Sequence, residues 1–243
     1  MRRLRNRSGL SQLKPASSKA RNNPTVSPGW RSANWSGYAI NKAKSGSFRS
    51  IAASWTVPRV KPSAAQRHSS AWIGIDGFGN PSLIQTGTEH EYRNGKAVYY
   101  AWWEILPAPE TRIHRPVSPG DRMYARISKL AGNKWRIRLA NRTKGWVFDT
   151  VKAYTGPAST AEWVLEAPTI NGKKAPLANY GKVKFRQCRA NGINPRLQPN
   201  QRGVMVQNGR VVSTPSLPNR TTDGFSVAYG AKMPKPPNGV RGK

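Results

Sequence analysis

The sequence RMYARISKLAGNKWRIRLA, at residues 122–140, contains two runs in which every second residue is apolar. Successive side chains of a β-strand point to opposite faces, so a period of two predicts strands with one buried and one solvated face. Ala131, Gly132 and Asn133 lie between the runs and supply turn residues, which predicts a β-hairpin. The apolar positions of the two runs are Met123, Ala125, Ile127, Trp135, Ile137 and Leu139.

Similar short runs extend outward from this hairpin in both directions, and Pro, Gly and Asn separate them. No segment shows the 3.6-residue period of an amphipathic helix convincingly. About a dozen short strands without a helix predict an all-β fold, a two-sheet antiparallel β-sandwich. The additional runs lie near residues 34–40, 48–57, 71–76, 82–89, 97–105, 145–151, 161–166, 181–187, 203–207 and 225–229.

The two ends of the chain differ in composition from its middle. Residues 1–31 are rich in Arg, Lys, Ser, Asn and Pro, which predicts a disordered basic arm before a sandwich domain at 32–231. Residues 232–243 are predicted to form a flexible tail. The first residues resemble the basic start of a signal peptide, but no apolar segment follows them. No segment approaches the ~20 apolar residues of a transmembrane helix.

The charge of the chain is strongly unbalanced. Forty-one basic residues and ten acidic ones give a formal net charge of +31. Such a charge suggests adsorption to polyanions such as nucleic acid, cell-wall polymer or anionic membrane, or else solubility through repulsion. The basic residues of the 122–140 hairpin favour the simpler interpretation, a solvated face.

Common signatures of catalytic and metal sites are missing from the sequence. There is no nucleophile elbow, no Walker loop and no paired-His zinc motif. In Glu89-His90-Glu91 a strand would point His90 away from its neighbours, so we predict no metal and no cofactor. A Ser–His–Asp triad is not excluded, but no spacing selects one. Cys188 is the only cysteine, so an internal disulfide is impossible, and its place in an alternating run indicates a buried bystander.

Three segments, 70–77, 83–104 and 161–168, place polar groups among aromatic residues. Alternation puts Trp102 and Glu104 on one face of a strand, and Glu162 and Glu166 on one face of another. Carboxylates beside indoles have perturbed pKa values at many functional sites. The alternation pattern by itself slightly favours a β-sandwich with a few paired acidic residues on its surface over a functional site.

Six motifs in a fixed order favour a functional site over this interpretation. They are NWSGY (34–38), SWTVP (54–58), AWIGIDG (71–77), IQTG (84–87), AWWE (101–104) and AEWVLE (161–166). In this order the chain resembles the eqolisin family of glutamic peptidases, as a bacterial-type member without disulfides. Fungal members carry disulfides and are typically acidic, whereas this chain has a lone cysteine and is basic. The resemblance implies a concanavalin-like sandwich with a concave cleft, polypeptide substrates, a monomer and secretion.

The resemblance also implies site residues. The family's catalytic glutamine corresponds to Gln85 and its catalytic glutamate to Glu166. The side chains expected to line the cleft are Trp72, Asp76, Trp102 and Glu104. We expect Glu166 to activate water and then protonate the leaving amine, and Gln85 to hold the water and stabilise the oxyanion. We expect Asp76 and Glu104 to tune the proton on Glu166.

Two alternatives belong to other functional classes. A non-catalytic β-sandwich could bind polyanions or carbohydrate through its basic and aromatic surface. A glycosidase would need two carboxylates facing each other, for which Glu104 and Glu166 are candidates. The feature that distinguishes an acid-acting endopeptidase from both is the presence of Gln85 together with Glu166 in their motifs.

Overall fold

The computed structural model describes residues 14–15 and 27–238. Within these ranges the chain forms β-strands, one 3₁₀ turn at Pro199–Gln201 and no α-helix, and none of its elements is a helix suited to crossing a membrane. The strands are β1 (Lys14–Pro15), β2 (Trp30–Ser32), β3 (Trp35–Asn41), β4 (Ser50–Thr56), β5 (Arg67–Ile75), β6 (Ile84–Arg93), β7 (Lys96–Ile105), β8 (Thr111–Ile113), β9 (Arg122–Lys129), β10 (Lys134–Asn141), β11 (Trp146–Ala153), β12 (Thr160–Glu166), β13 (Thr169–Ile170), β14 (Lys173–Lys174), β15 (Lys182–Ala190), β16 (Arg202–Gln207), β17 (Arg210–Pro215) and β18 (Phe225–Tyr229).

The strands form two packed sheets that share β15. The larger sheet has the order β18-β17-β16-β3-β12-β5-β6-β7-β8, and the smaller has the order β11-β10-β9-β4-β15. The first half of β15 pairs with β18, and its second half pairs with β4 after a register shift near Gln187, whose φ is +51°. The pairs within these two orders are antiparallel, while β2 runs parallel to β16. The predicted all-β, two-sheet antiparallel sandwich is confirmed.

The 122–140 hairpin forms as predicted, with β9 and β10 paired so that Ile127 faces Ile137. Their apolar side chains are fully buried, and Arg126, Arg136 and Arg138 lie on the exposed face. The strands β8 and β17 were not predicted. Their sequences are short or end in proline, and they show little alternation, so tertiary pairing rather than local pattern makes them strands.

The main core fills the space between the two sheets. Trp163 and Leu165 of β12 point into it, as alternation predicted, together with Ile137 of β10. Each fully buried side chain of this size stabilises the fold by roughly 1.5–3 kcal/mol. Cys188 belongs to this core, and burial, aided by the nearby Asp223 carboxylate, raises the pKa of its thiol well above the ordinary value. The thiol therefore stays protonated, which agrees with its interpretation as a bystander.

A second apolar cluster covers the opposite face of the larger sheet. It contains Trp30, Trp35, Ala39, Trp72, Leu83, Tyr100, Trp102 and Val164. Four of these positions, Trp35, Trp72, Trp102 and Val164, belong to the motifs that carry the family resemblance. This outer face, rather than the space between the sheets, is therefore where the predicted site residues lie.

The folded domain begins earlier than residue 32. Trp30 is 5% exposed, donates from Nε1 to the carbonyl of Gln201 at 2.8 Å and packs edge-on against Phe78. Its indole lies over Gly203, where an added Cβ would come within 1.9 Å of the ring. The predicted arm lies mostly outside the described residues. The predicted tail contains no strand as far as Asn238, where the described chain ends.

Candidate active site

Four adjacent strands, β12, β5, β6 and β7, present the predicted site residues on the outer face of the larger sheet. Their register arranges the outward side chains in rows that cross the strands. The first row is Glu166, Ser70, Glu89 and Tyr100. The middle row is Val164, Trp72, Gly87 and Trp102. The third row is Glu162, Gly74, Gln85 and Glu104.

Glu166 is held at both carboxylate oxygens. Asn34 donates from Nδ2 to Oε1 at 3.1 Å, and Trp72 donates from Nε1 to Oε2 at 2.8 Å. The Asn34 amide is itself fixed, because Ser32 donates its hydroxyl to Oδ1 at 3.0 Å. Glu166 is fully buried. A carboxylate with both oxygens bonded to fixed donors is held in a single orientation.

Gln85 forms a second centre with Glu104. The Gln85 amide donates from Nε2 to Oε2 of Glu104, its register partner on β7. Both side chains are fully buried. The amide oxygen of Gln85 has no hydrogen-bond partner within the described part of the chain. Glu104 therefore orients the amide of Gln85, and the amide keeps a polar atom for a further partner.

Two indoles separate these centres. Trp72 packs edge-on against Trp35 with ring centroids 5.0 Å apart, and Trp102 donates from Nε1 to Oγ of Ser70 at 3.2 Å. Gly87 lies between Trp72 and Trp102 in the row. A Cβ added to Gly87 would come within 2.5 Å of the Trp72 Cβ, so only glycine fits where the two strands approach this closely. The indoles form an apolar floor flanked by the two polar centres.

The structure places Gln85 and Glu166 on the same face, but no hydrogen bond joins them among the described residues. Their strands are separated by β5, and their rows lie four residues apart. In a flat sheet this register would separate the two Cα atoms by roughly 16 Å. The predicted pair is therefore two hydrogen-bonded centres on either side of an indole floor rather than a directly bonded dyad.

Asp76 does not join this site, contrary to the expectation that it tunes Glu166. Its carboxylate accepts hydrogen bonds from the Tyr154 hydroxyl at 2.6 Å and from the backbone N–H groups of Ala158 and Ser159 at 2.7 and 2.9 Å. Its own backbone N–H bonds to the first residue of β12, six residues or roughly 20 Å along the strand from Glu166. Asp76 anchors the β11–β12 connection.

Glu104 does not share a proton with Glu166 either. Three strand spacings and four residues separate the two positions, which corresponds to about 20 Å between Cα atoms in a flat sheet. Each carboxylate has its own fixed donors. The expected coupling is therefore replaced by an orienting contact between Glu104 and Gln85. The glycosidase alternative would need the two carboxyl groups to face each other, whereas Glu104 bonds to Gln85 and Glu166 bonds to Asn34 and Trp72.

Sequence reasoning missed the surroundings of three residues of this region. Asn34 opens the NWSGY motif, but no pattern indicated its bond to Glu166. Glu162 is fully buried in the third row, and burial raises its pKa well above the ordinary value. The nearby Thr160 hydroxyl opposes this shift, and the Asp76 charge adds to it. His68 meets Glu89 and Glu91 across the β5–β6 pair, and only the register reveals this contact.

The outer face is acidic although the chain is basic. Five of the chain's ten carboxylates lie on it and are fully buried: Glu89, Glu91, Glu104, Glu162 and Glu166. His90 points to the other side of β6, as predicted, where its Nε2 lies 2.9 Å from the Thr88 hydroxyl. Carboxylates buried together near indoles are typical of sites whose protonation matters for function.

The sequence matches a known family model along most of its length. Residues 33–229 match the model of the peptidase A4 family. The Aspergillus niger protein aspergillopepsin-2 is 25% identical over 171 residues, which cover 66% of this chain and 59% of that protein. This chain therefore spans less than two thirds of the length of that relative.

Solved structures share the fold. A crystal structure of scytalido-glutamic peptidase with a transition state analog inhibitor matches with a TM-score of 0.70 at 21% identity, covering 81% of this chain and 98% of that chain. SCP-B, a member of the eqolisin family in complex with the tripeptide Ala-Ile-His, matches with a TM-score of 0.63 at 20% identity, covering 81% of this chain and 98% of that chain. At these identities the likeness shows a common sandwich.

Proposed function

This chain belongs to the peptidase A4 family, and from that premise we propose that it is an acid-acting endopeptidase whose chemistry depends on Glu166 and Gln85. The observation that carries the proposal is the setting of Glu166, a buried carboxylate with one oxygen bonded to Asn34 and the other to Trp72. A non-catalytic binding module has no use for a carboxylate held in this way, and family membership also disfavours that alternative.

Glu166 acts as the base and then as the acid of peptide hydrolysis. As a carboxylate it takes a proton from a water molecule, whose oxygen attacks the carbonyl carbon of the peptide bond. The resulting tetrahedral intermediate collapses when Glu166 returns the proton to the departing nitrogen, which breaks the C–N bond. Asn34 and Trp72 keep the carboxylate in one orientation during both transfers.

Gln85 holds the water and stabilises the negative charge on the carbonyl oxygen of the intermediate. Its amide carries two N–H groups, so one remains for the oxyanion while the other donates to Glu104. Glu104 is a positioning residue in this scheme, because it acts through Gln85. The indole floor of Trp72 and Trp102 supports the polypeptide between the two centres. Both centres are fully buried, so this face must open before a polypeptide binds.

An amide does not titrate, so this arrangement operates at a pH where a histidine base would be protonated. We place the substrates among unfolded or extended polypeptides and expect a secreted monomer, following the family. The positive charge of the chain suits adsorption to polyanionic surfaces, separate from catalysis. The proposed reaction uses no cofactor.

The test compares wild type with Glu166→Gln on acid-unfolded casein and on a quenched fluorescent peptide. Loss of the general base should lower kcat/KM by at least ~10²-fold, because the amide keeps the shape of the side chain but cannot take the proton. Glu110→Gln is the matched control, since Glu110 lies at the edge of the same face, bonded to Tyr100, and carries no role in the mechanism. Full activity of Glu166→Gln would refute the assignment.

A further inference from the structure

Three potential metal ligands lie together on the outer face, one row beyond Ser70 and Glu166. His68 on β5 and Glu91 on β6 are register partners, and Glu89 precedes Glu91 by two residues on the same side of β6. All three side chains are buried, and the ligand atoms that they offer lie within 4.8 Å of one another. From the sequence we predicted no metal site, because a strand points His90 away from Glu89 and Glu91, and we did not consider His68, which lies 21 residues before Glu89.

The ring of His68 is directed into this group. Its Nδ1 atom lies 3.8 Å from Oε1 of Glu89 and 3.7 Å from Oε1 of Glu91, and both separations exceed a hydrogen bond. Nδ1 is buried and has no hydrogen-bond partner among the described residues, and only 5% of His68 is exposed. When the ring is protonated, Nδ1 forms an ion pair with each carboxylate; when it is neutral, Nδ1 can offer its lone pair to a cation held between them.

We propose that His68, Glu89 and Glu91 bind a divalent transition-metal ion of the zinc type. Metal–ligand bonds of about 2.0–2.2 Å in a tetrahedral site place neighbouring ligand atoms about 3.4 Å apart. The two distances from His68 Nδ1, 3.8 and 3.7 Å, exceed this spacing by a few tenths of an ångström, and all the ligand atoms lie within 4.8 Å of one another. One imidazole with two carboxylates suits Zn²⁺, Co²⁺ or Mn²⁺, whereas Ca²⁺ takes six to eight oxygen ligands.

Outer contacts fix the carboxylate of Glu91, as is usual for metal ligands. The Tyr100 hydroxyl is shared between Oε1 of Glu91 and Oε1 of Glu110, at 3.1 and 2.9 Å. Arg93 places Nε 3.1 Å from Oε2 of Glu91. The two ligand carboxylates, Glu89 and Glu91, carry two negative charges, and Arg93 balances one of them. A bound dication therefore gives this group a net charge of about +1.

The site is separate from the proposed reaction, although Glu89 shares a row with Glu166. An ion held by His68 of β5 and two residues of β6 fastens these strands beside the row that carries the catalytic carboxylate. Its expected effect is on the stability of this edge of the site. Binding requires a neutral imidazole, so the ion is held near neutral pH and released in acid.

The test is calorimetric titration of the metal-free full chain with ZnCl₂ at pH 7.5, with CaCl₂ as the comparison. We expect about one Zn²⁺ per chain, no saturable Ca²⁺ binding, and at least a ~10-fold weaker Zn²⁺ affinity for His68→Gln and for Glu91→Gln, because even the loss of an outer-shell partner costs 10–100-fold. His114→Gln, which removes an exposed histidine outside the site, serves as the control and should bind as wild type does.

X-ray absorption fine structure at the zinc edge, measured on the zinc-loaded wild-type chain, does not depend on the folding of a variant. One imidazole nitrogen with oxygen ligands around the ion supports the site. No saturable Zn²⁺ binding, a spectrum without imidazole, or equal affinity in folded His68→Gln and wild type would overturn the proposal.

Discussion

At the scale of single residues, Glu162 makes the stability of the folded chain depend on pH. It is fully buried, and burial raises its pKa well above the ordinary value of 4.5. The folded chain therefore binds this proton more tightly than the unfolded chain. Unfolding releases the proton whenever the pH lies between the two pKa values, so Glu162 lowers stability as the pH rises above 4.5. The fold consequently favours the acid conditions proposed for catalysis.

Glu162→Gln should remove this dependence, because glutamine has the shape of the protonated acid and does not titrate. We expect wild type and variant to have similar stability at pH 4. Above that, their free energies of unfolding should diverge by about 1.4 kcal/mol per pH unit until the folded pKa is reached, with the variant more stable. Urea unfolding at pH 4, 5.5 and 7 measures the difference. Parallel curves would show that Glu162 ionises inside the fold.

At the scale of elements, the site depends on how closely β5 and β6 approach at Gly87. A Cβ there would lie 2.4 Å from the carbonyl oxygen of Ala71 and 2.5 Å from the Trp72 Cβ. Neither atom is the far end of a flexible side chain, so the strands themselves would have to separate. Trp72, which orients Glu166, lies directly on this contact.

Gly87→Ala should therefore damage both stability and catalysis. Overpacking of this kind costs about 1–3 kcal/mol, and the contact with backbone atoms places this case at the upper end. We expect a lower urea midpoint, and a lower kcat/KM even under conditions where the variant remains folded. An unchanged urea midpoint together with wild-type activity would mean that β5 and β6 can separate at this point at no measurable cost in free energy.

The same strands show what the sequence can and cannot predict. Period two gave the correct face for Trp163, Leu165 and the 122–140 hairpin, because alternation depends only on local geometry. The family motifs brought Gln85 and Glu166 to one face. Register across strands carries no local signal, so the contacts of the Asp76 carboxylate with Tyr154, Ala158 and Ser159 could not be predicted. The meeting of His68 with Glu91 was missed for the same reason.

At the scale of the whole molecule, charge is segregated. Five buried carboxylates collect on one face of a chain with a formal charge of +31, while Arg126, Arg136 and Arg138 extend from the opposite sheet. Arg136 and Arg138 both pair with Asp149, at 3.3 and 3.4 Å, but these exposed pairs contribute little to stability. We propose that the outer basic charge associates with anions and that the acidic face carries out the chemistry.

Deletion of residues 2–26 separates these two roles; it retains Trp30 and removes β1, which pairs with β2 through Lys14 with Arg31 and Pro15 with Trp30. We expect an unchanged urea midpoint, peptidase activity no lower than that of the full chain, and weaker retention on a heparin column with a shallower dependence on salt. A full-length control changes the seven basic residues of this segment to Gln and should also bind heparin weakly: Arg2, Arg3, Arg5, Arg7, Lys14, Lys19 and Arg21. A marked loss of stability in the deletion would mean that the segment supports the sandwich.

The central claim, hydrolysis by a carboxylate and an amide, predicts an acid pH optimum that needs no histidine. Activity should be highest below about pH 5, where carboxyl groups titrate. The many basic residues favour ionised carboxylates, so the base limb should lie at lower pH in dilute salt than in concentrated salt, which screens them. His68, His90 and His114 are the chain's only histidines, and none lies in the motifs that carry Gln85 and Glu166.

The direct measurement is kcat/KM against pH, at low and high salt, for wild type and for His68→Gln, His90→Gln and His114→Gln. The account predicts an acid maximum in all four proteins and a base limb that moves to higher pH as salt is added. A maximum near neutrality that disappears in one of the histidine variants would contradict it.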